Sequence, residues 1–565
     1  MHPPPPLLSL PRRSPGIFFL AVLLVSLMLA TALAPQVSAQ VPGRGSLLAN
    51  EELTSRYFDA IRDNPAELRA FFADMPKGGD LHTHINGAIY TETLIDLAAA
   101  QNLCVVPSDG TVSPPPCSGS GTVPVREAYR NATLYQNLID FWSLRDYTPV
   151  TMSAYDRFFL VVFPKIGLIT RNASPVLSAD RSEAAVQNIQ YMETILQIRD
   201  ETGRANALSS SLGYDSNLSR FRENLLAAGI GNIAQNATLA LADLSRSSDE
   251  ALGCGTAGAD PGCNVTVRYL YQASRTLPKE NVFAQLLLGF EVVNRSPLAV
   301  GVNIVGAEDD YTARTDYSLH MEMVGYLRSV YPAVNVTLHA GELAPGLVPP
   351  QDLRSHIRDA VVTAGAQRIG HAVDIASEEK SSDTIRLMAG RHIAVEAPLV
   401  SNAELLGVEG GAHPFPLYIE NGVPVVLATD DEGIERTDLT EQFVIAAGSY
   451  PEVTYLDLKQ CVRNSLEFSF LRGGSIWAGT GEYSRTVSAC SGDVPGSPDP
   501  SAGCSAFLGS SEKARMQWQL ERSLADFEEQ IASNPPVTTQ AGIGRQSWLL
   551  PVMQYQGSPH PFSLV

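Results

Sequence analysis

The residues in this chain able to hold a metal and move protons fall in four widely separated segments: His82-Thr83-His84, His339-Ala340-Gly341-Glu342, Gly370-His371 and Thr429-Asp430-Asp431. On an extended strand His82 and His84 point to one face, so both imidazoles can reach one ion. His339 and Asp430 add a third imidazole and a carboxylate, a set that suits one zinc ion with water in its remaining position. Such an ion lowers the pKa of its water toward neutrality. His371 can hydrogen-bond that water and help remove its proton, with Asp430 serving from the other side; its alternative is a packing or supporting histidine. Glu342 lies three residues past His339, beyond a glycine that lets the chain turn. There it can protonate a ring nitrogen and then return protons to a leaving amine, as a non-ligand glutamate does in zinc deaminases. Its alternative is a residue at a helix start, facing the helix dipole. Asp431 reads as a substrate acceptor, or else as a helix cap. His-x-His alone is a weak signal; four separate segments supplying the missing group types make a strong one.

Each segment closes a short apolar run, and a barrel of parallel strands would carry all four to one end. Strand-like stretches occur at residues 79–85, 188–196, 282–290, 299–305, 334–339, 368–371, 393–396 and 423–429, with a helix at 353–364 filling one of the spacers. Unbroken apolar runs such as 423–427 suit strands covered outside by helices. The expected fold is therefore α/β, a TIM-like (β/α)8 barrel over residues 79–475; a doubly wound sheet is the alternative. Ahead of it, Leu53, Tyr57, Ile61, Leu68, Phe71 and Phe72 share one helical face within residues 50–75, and Pro76 stops the helix. Residues 101–125, with Pro114-Pro115-Pro116, read as a loop insertion after the first strand that could roof a pocket. Helical stretches follow at 125–144, 155–168 and 179–186, and after the barrel a Gly-, Ser- and Pro-rich segment at 479–510 precedes a helix at 512–531 and a Pro- and Gln-rich end from Ser533.

The chain has 565 residues, 44% of them hydrophobic, enough for a large core. Residues 1–39 read as a signal peptide: Arg12 and Arg13 precede the apolar run 17–33, and Val37-Ser38-Ala39 before Gln40 resembles a cleavage site. An uncleaved membrane anchor is the alternative. The expected division is then a signal peptide at 1–39, a helical segment at 40–78, the barrel at 79–475 with its insertion at about 101–125, and an extension at 476–565. Export implies a secreted or periplasmic protein with no stable membrane span after processing. Losing Arg12 and Arg13 leaves 38 basic against 60 acidic residues, a formal charge of −22. That surface repels a phosphate backbone, excludes a nucleic-acid polymer as partner and favours a small neutral substrate. The seven cysteines space as Cys104/Cys117, Cys254/Cys263 and Cys490/Cys504 with Cys461 left over, fitting three local disulfides in loop-like stretches. Unpaired surface thiols are the alternative, and without a CxxC pair cysteine-ligated zinc is not expected. Six Asn-x-Ser/Thr sequons occur, at Asn131, Asn172, Asn217, Asn236, Asn264 and Asn335, the last within an apolar segment.

Taken together, the motifs resemble the adenosine deaminase family of metal-dependent hydrolases, and more closely its secreted, growth-factor-related branch. Met75-Pro76-Lys77-Gly78 with Leu81-His82-Thr83-His84-Ile85-Asn86-Gly87 matches the opening motif, His339-Ala340-Gly341-Glu342 the central one and Asp430-Asp431 the closing one. Val305-Gly306-Ala307-Glu308-Asp309, Arg368-Ile369-Gly370-His371 and Ser401-Asn402 fall in family order, so the similarity spans about residues 50–475. The resemblance implies that His82, His84, His339 and Asp430 ligate one zinc ion, that Glu342 protonates purine N1 and that His371 positions the hydroxide attacking C6. It also implies a backbone N–H of Gly306 at N3, Asp431 at N7, His84 and Asn86 along the substrate, and Phe141 and Trp142 as a lid over the base. Asn86 stands where aspartate is common in the cytosolic enzymes, and Glu432-Gly433 follows the paired aspartates where proline is usual.

The expected activity is zinc-dependent deamination of adenosine or 2′-deoxyadenosine to the inosine product plus ammonia. AMP or adenine is the alternative substrate, although no dense basic phosphate cradle is visible in the sequence. A different class of reading is an extracellular binding or signalling protein with a vestigial zinc site. The resemblance also raises a homodimer.

Overall fold

The computed structural model describes residues 44–118 and 121–533. Its N-terminal stretch forms two helices, Arg44–Ile61 and Pro65–Asp74, rather than one, because Asn64 caps the second through the amides of Ala66 and Glu67 and Pro65 starts it. Phe58, Leu68, Phe71 and Phe72 on their inner faces are buried. The chain then enters β1 (Gly78–His84).

The insertion contributes β2 (Cys104–Val105), β3 (Val112–Ser113) and β4 (Val123–Pro124), a small antiparallel sheet in the order β3-β2-β4. It is therefore more ordered than the loop its composition implies. Short strands with few periodic residues leave little pattern to read. The barrel continues through β5 (Ile189–Leu196), β6 (Thr266–Ser274), β7 (Ala299–Val305), β8 (Asn335–Ala340), β9 (Arg368–His371), β10 (Ala394–Ala397) and β11 (Val425–Leu427). With β1 these make eight parallel strands in the order β1-β5-β6-β7-β8-β9-β10-β11. The circle closes where Thr83 bridges to Asp430, His84 N donates to Asp430 O and Asp430 N donates to His82 O, both at 2.9 Å. Asp80 adds a buried clamp by accepting from Thr429 Oγ1 at 2.6 Å.

One expected strand is wrong. Residues 282–290 belong to the helix Lys279–Arg295, and the strand that completes the eight is β6. The run Val282-Phe283-Ala284-Gln285-Leu286-Leu287-Leu288-Gly289-Phe290 is apolar because this helix is buried all round, and a continuous apolar run does not distinguish a buried helix from a buried strand. Three helices between β5 and β6, Arg199–Leu212, Leu218–Ala227 and Ile230–Ala251, also had no counterpart in the sequence reading.

All three disulfides form, Cys104–Cys117, Cys254–Cys263 and Cys490–Cys504, and Cys461 is buried and unpaired. Three sequon asparagines, Asn131, Asn172 and Asn217, cap helices, while the half-buried Asn335 donates to Val300 O. The extension adds β12 (Trp477–Gly479) and β13 (Glu482–Thr486) and the helix Glu512–Ser533. That helix runs below the entry ends of the strands: Gln190 in β5 donates to Met516 O at 2.9 Å, and Arg268 in β6 pairs with Glu512. It thus covers the face of the barrel opposite the strand exits, where conserved structure serves stability rather than chemistry. Residues 17–33, 37–39 and the segment beyond Ser533 lie outside the described residues. Among the described residues no single helix is long and apolar enough to cross a membrane.

Candidate active site and metal centre

His82 and His84 end β1, His339 lies in β8, His371 ends β9, and Asp430 follows β11. The barrel brings their side chains together. His82 Nε2 lies 3.0 Å and His84 Nε2 3.1 Å from His339 Nε2, and Asp430 Oδ1 lies 3.5 Å from His82 Nε2 and 3.3 Å from His84 Nε2. The opposite ring nitrogens explain how His82 and His339 can face each other. His82 Nδ1 meets Glu396 Oε2 at 2.7 Å and His339 Nδ1 meets Asn303 Oδ1 at 2.9 Å. Asn303 Oδ1 also accepts from the backbone N of His339, which fixes that atom as the oxygen. Both partners are acceptors, so each Nδ1 carries a proton and each Nε2 faces inward, its lone pair open to a metal once that nitrogen is unprotonated. In a tetrahedral zinc site with bonds of about 2.0–2.1 Å, neighbouring donor atoms stand roughly 3.3–3.4 Å apart. His82, His339, His371 and Asp430, all buried, offer donor atoms within 4.8 Å of one another, and the partly buried His84 adjoins them through Asp430, which fits one zinc site per chain.

A fourth imidazole adjoins the set. His371 Nδ1 meets Asn402 Oδ1 at 2.9 Å, and the Asn402 amide is held in turn by His413. Its Nε2 lies 3.7 Å from Asp430 Oδ2 and has no hydrogen-bond partner, although it is buried. His371 and Asp430 both adopt left-handed backbone, with φ of 65° and 62°. Such conformations in non-glycine residues cost on the order of 1 kcal/mol or more each and collect at sites where side-chain direction matters. Two glycines serve the same packing. A Cβ on Gly370 would stand 2.6 Å from the His82 ring, and one on Gly87 would stand 1.8 Å from Asp431 Oδ1. The turn after His84 therefore lies directly against Asp431.

Burial, and then the neighbouring imidazolium field, pulls the His339 pKa well below the usual histidine value; burial likewise takes His84 down to about 3. Burial also lowers His82, but Asp430 and Glu396 outweigh it and push its pKa up to about 10. These carboxylates make the surroundings of His82 favourable to positive charge. Glu342 is shifted the other way: burial, assisted by Asp430 and Glu308 and opposed by Arg275, raises it well above the usual carboxylate range, which favours its protonated form. Asp431 is raised well above its usual value by burial and by Asp430. That shift favours its protonated form, in which the carboxyl has an O–H to donate as well as oxygens to accept.

Several supporting residues escaped the sequence reading. Arg275, fully buried just past β6, donates to His339 O at 3.2 Å and to Glu342 Oε2 at 3.3 Å, and its Nε donates to Gly306 O. Glu308 accepts from Glu342 N at 2.8 Å and pairs with His356 at 2.6 Å, fixing the turn that carries Glu342. Placing β6 correctly would have put Arg275 at a strand exit, which is the only signal the sequence offers for it. Glu396, besides holding His82, accepts from Thr337 Oγ1 at 2.8 Å and is paired with Arg368, which reaches Glu193 at 2.6 Å. Glu396→Gln is expected to weaken zinc binding by about 10- to 100-fold, the usual effect of removing a partner that orients a ligating histidine. Competition with a chelator measures it; unchanged affinity in the folded variant would remove Glu396 from the site.

Of the other expected substrate residues, Asn86 sits on the turn after His84, where its Oδ1 accepts from Arg199 Nη2 at 3.2 Å. Gly306 follows β7 with φ of 100°. Phe141 and Trp142 grip the insertion: Trp142 is buried and its Nε1 donates to Gly110 O at 2.8 Å, and Phe141 packs on Gly110 and under Lys165. Their contacts are with Gly110 of the insertion and with Lys165 and Thr91 outside it.

Residues 238–474 match the family model described as adenosine deaminase. An adenosine deaminase of Vibrio vulnificus is 23% identical over 393 residues, covering 68% of this chain and 92% of that protein. An adenosine deaminase of Escherichia coli is 31% identical over 138 residues, 24% of this chain and 38% of that protein. Among solved structures, an adenine deaminase from Arthrobacter aurescens is similar with a TM-score of 0.44 and 16% identity, covering 70% of this chain and 94% of that one.

Proposed function

We propose that the chain belongs with the adenosine and adenine deaminases among the metal-dependent hydrolases, which it is similar to over residues 238–474 and over 68% of its length, and that it deaminates a 6-aminopurine nucleoside or nucleotide hydrolytically. The observation that carries this reading is the convergence of imidazole nitrogens and the Asp430 carboxylate beside a buried Glu342 whose pKa is raised. His82, His84, His339 and Asp430 would hold the zinc ion, His84 rather than His371 because its Nε2 stands closer to Asp430, at 3.3 Å against 3.7 Å. Bound zinc supplies the Lewis acidity that makes water a nucleophile at neutral pH.

The chain's own groups do the rest. His371, its Nε2 free and its ring fixed by Asn402, accepts a hydrogen bond from the attacking water and takes its proton. Glu342 gives its proton to ring nitrogen N1 as the oxygen adds to C6, and Arg275 holds its carboxyl in place. The proton taken from water then passes to the exocyclic amine, the C6–N bond breaks as the added hydroxyl returns its remaining proton to Glu342, and ammonia leaves with an oxo group on the ring. Asp431 donates to N7, an acceptor, which its raised pKa allows. Gly306 offers its N–H to N3, with its carbonyl already engaged by Arg275. Buried walls keep bulk water from this exchange.

Adenosine with 2′-deoxyadenosine is one substrate reading and AMP the other; they differ at the 5′ end, where a hydroxyl or a phosphate must be met. Free adenine would leave the wall around Asn86 without a partner. Ammonia release from zinc-loaded protein with adenosine, 2′-deoxyadenosine, AMP and adenine tests the reading: turnover is expected with at least one ribosylated substrate and to be weakest with adenine. No turnover of any of the four would sink it. The stapled insertion after β1 and the leader-like start support placing the chain in the secreted branch as an exported enzyme.

A further inference from the structure

Beside the turn that follows His84 lies a cavity of about 180 Å³, whose polar lining is Asn86, Thr170, Arg171, Gln197, Arg199 and Asp200, one acid against two arginines. The two arginines are 28 residues apart in the chain, one preceding the helix Ala173–Val186 and the other opening Arg199–Leu212, and only the fold makes them neighbours. Arg199 donates to Gly167 O at 2.9 Å, to Thr170 Oγ1 at 3.4 Å and to Asn86 Oδ1 at 3.2 Å. Its partners are thus neutral acceptors, and no carboxylate takes up its charge. Burial first, and then the positive field of Arg171, lowers its pKa. Arg171 has one acidic neighbour, Asp200 at 3.7 Å, and both side chains are largely exposed, at 68% and 79%. Such a pair is worth little and yields to a better-placed anion. The cavity therefore has an uncompensated positive charge on a chain whose formal net charge is −20.

Its position relates it to the reaction centre. His84 donates through its backbone to Asp430 O, and Gly87 lies against Asp431, so the turn 84–87 passes from the histidine cluster to this cavity with Asn86 at the crossing. A purine whose C6 lies at the cluster must extend its ribose away from it, and residues just beyond a ligand are the ones its far end meets. The Asn86 amide oxygen is occupied by Arg199, which leaves its NH2 as a donor. A guanidinium fork, a second guanidinium and amide donors recognise tetrahedral oxyanions, arginine above all through paired N–H bonds.

We propose that this cavity is the 5′-phosphate subsite of the substrate pocket, with Arg199 and Arg171 as its cationic residues, and that the preferred substrate is a 6-aminopurine nucleoside monophosphate. The inference rests on the deaminase reading for the position of the base, but its phosphate binding is measurable without turnover.

The test is calorimetric binding of IMP and of inosine to the zinc-loaded protein, with turnover of AMP and adenosine in parallel. IMP is expected to bind at least tenfold more tightly than inosine, the difference shrinking with added salt and with inorganic phosphate as competitor. Arg199→Ala should abolish most of that difference and lower the AMP-to-adenosine ratio of kcat/KM at least tenfold; Arg171→Ala should do so in part. Arg199 also ties Gly167 and Thr170 in place, so if Arg199→Ala fails to fold, Arg199→Lys, which keeps charge but loses the fork, replaces it. Equal affinity for IMP and inosine, or a preference that survives both substitutions, overturns the subsite. If wild type turns over no 6-aminopurine, the deaminase reading falls, while the IMP and inosine affinities still decide the phosphate site.

Discussion

Glu342→Gln is expected to keep its zinc and lose about 10²- to 10⁴-fold in kcat, the range over which a positioned proton donor contributes. The substitution preserves size and a hydrogen-bonding head, so Arg275 and the Glu308-held turn should keep their places. It removes only the ability to give a proton to the ring and recover one. Loss from an interaction realised in the transition state appears in kcat and kcat/KM together, whereas simple loosening of the pocket raises KM alone. Zinc content measured beside the kinetics separates the roles. If the variant loses metal as fully as a ligand variant does, Glu342 is a ligand or a structural group and the proton assignment is wrong.

His339→Ala should abolish zinc binding and with it all measurable turnover. His339 is the imidazole that touches both others, at 3.0 and 3.1 Å, so its removal takes away the donor around which the set is arranged. It also leaves Asn303 Oδ1 buried without its ring partner. Zinc added to metal-stripped wild type should raise Tm, since an ion that binds only the folded state stabilises it by mass action, and should leave the Tm of the variant unmoved. The companion pair is equally informative. His84→Ala should lose metal, while His371→Ala should retain it and lose kcat. The reverse result would assign the third nitrogen to His371, whose Nε2 also falls within reach of the set.

The legible part of this protein was the part with repeated local logic. Strand ends such as Arg368–His371 and Ile189–Leu196 stand within a residue of where apolar runs and flanking loops put them. The disulfide partners lie close in sequence, so local closure in loop-rich stretches suffices to pair them. The run 282–290 was misread because the helix Lys279–Arg295 is buried on every side and so lacks the polar stripe that identifies helices.

The sequence by itself determined the chemistry available: which side chains can bind a soft divalent cation, which acid stands beside them, and that a parallel barrel would gather them. Residue type and period carry that information because they are properties of single segments. Only the tertiary structure decided the protonation states and the supporting contacts. The fold buries Glu342 and Asp431 beside other carboxylates and so raises both well above the usual carboxylate range, and no local pattern encodes that field. Arg275 reaches Glu342 across 67 residues, Glu396 reaches His82 across 314, and Arg199 reaches Asn86 across 113. Contacts between side chains on different strands depend on barrel order and register, which are set by the packing of the whole core rather than by any one stretch of it.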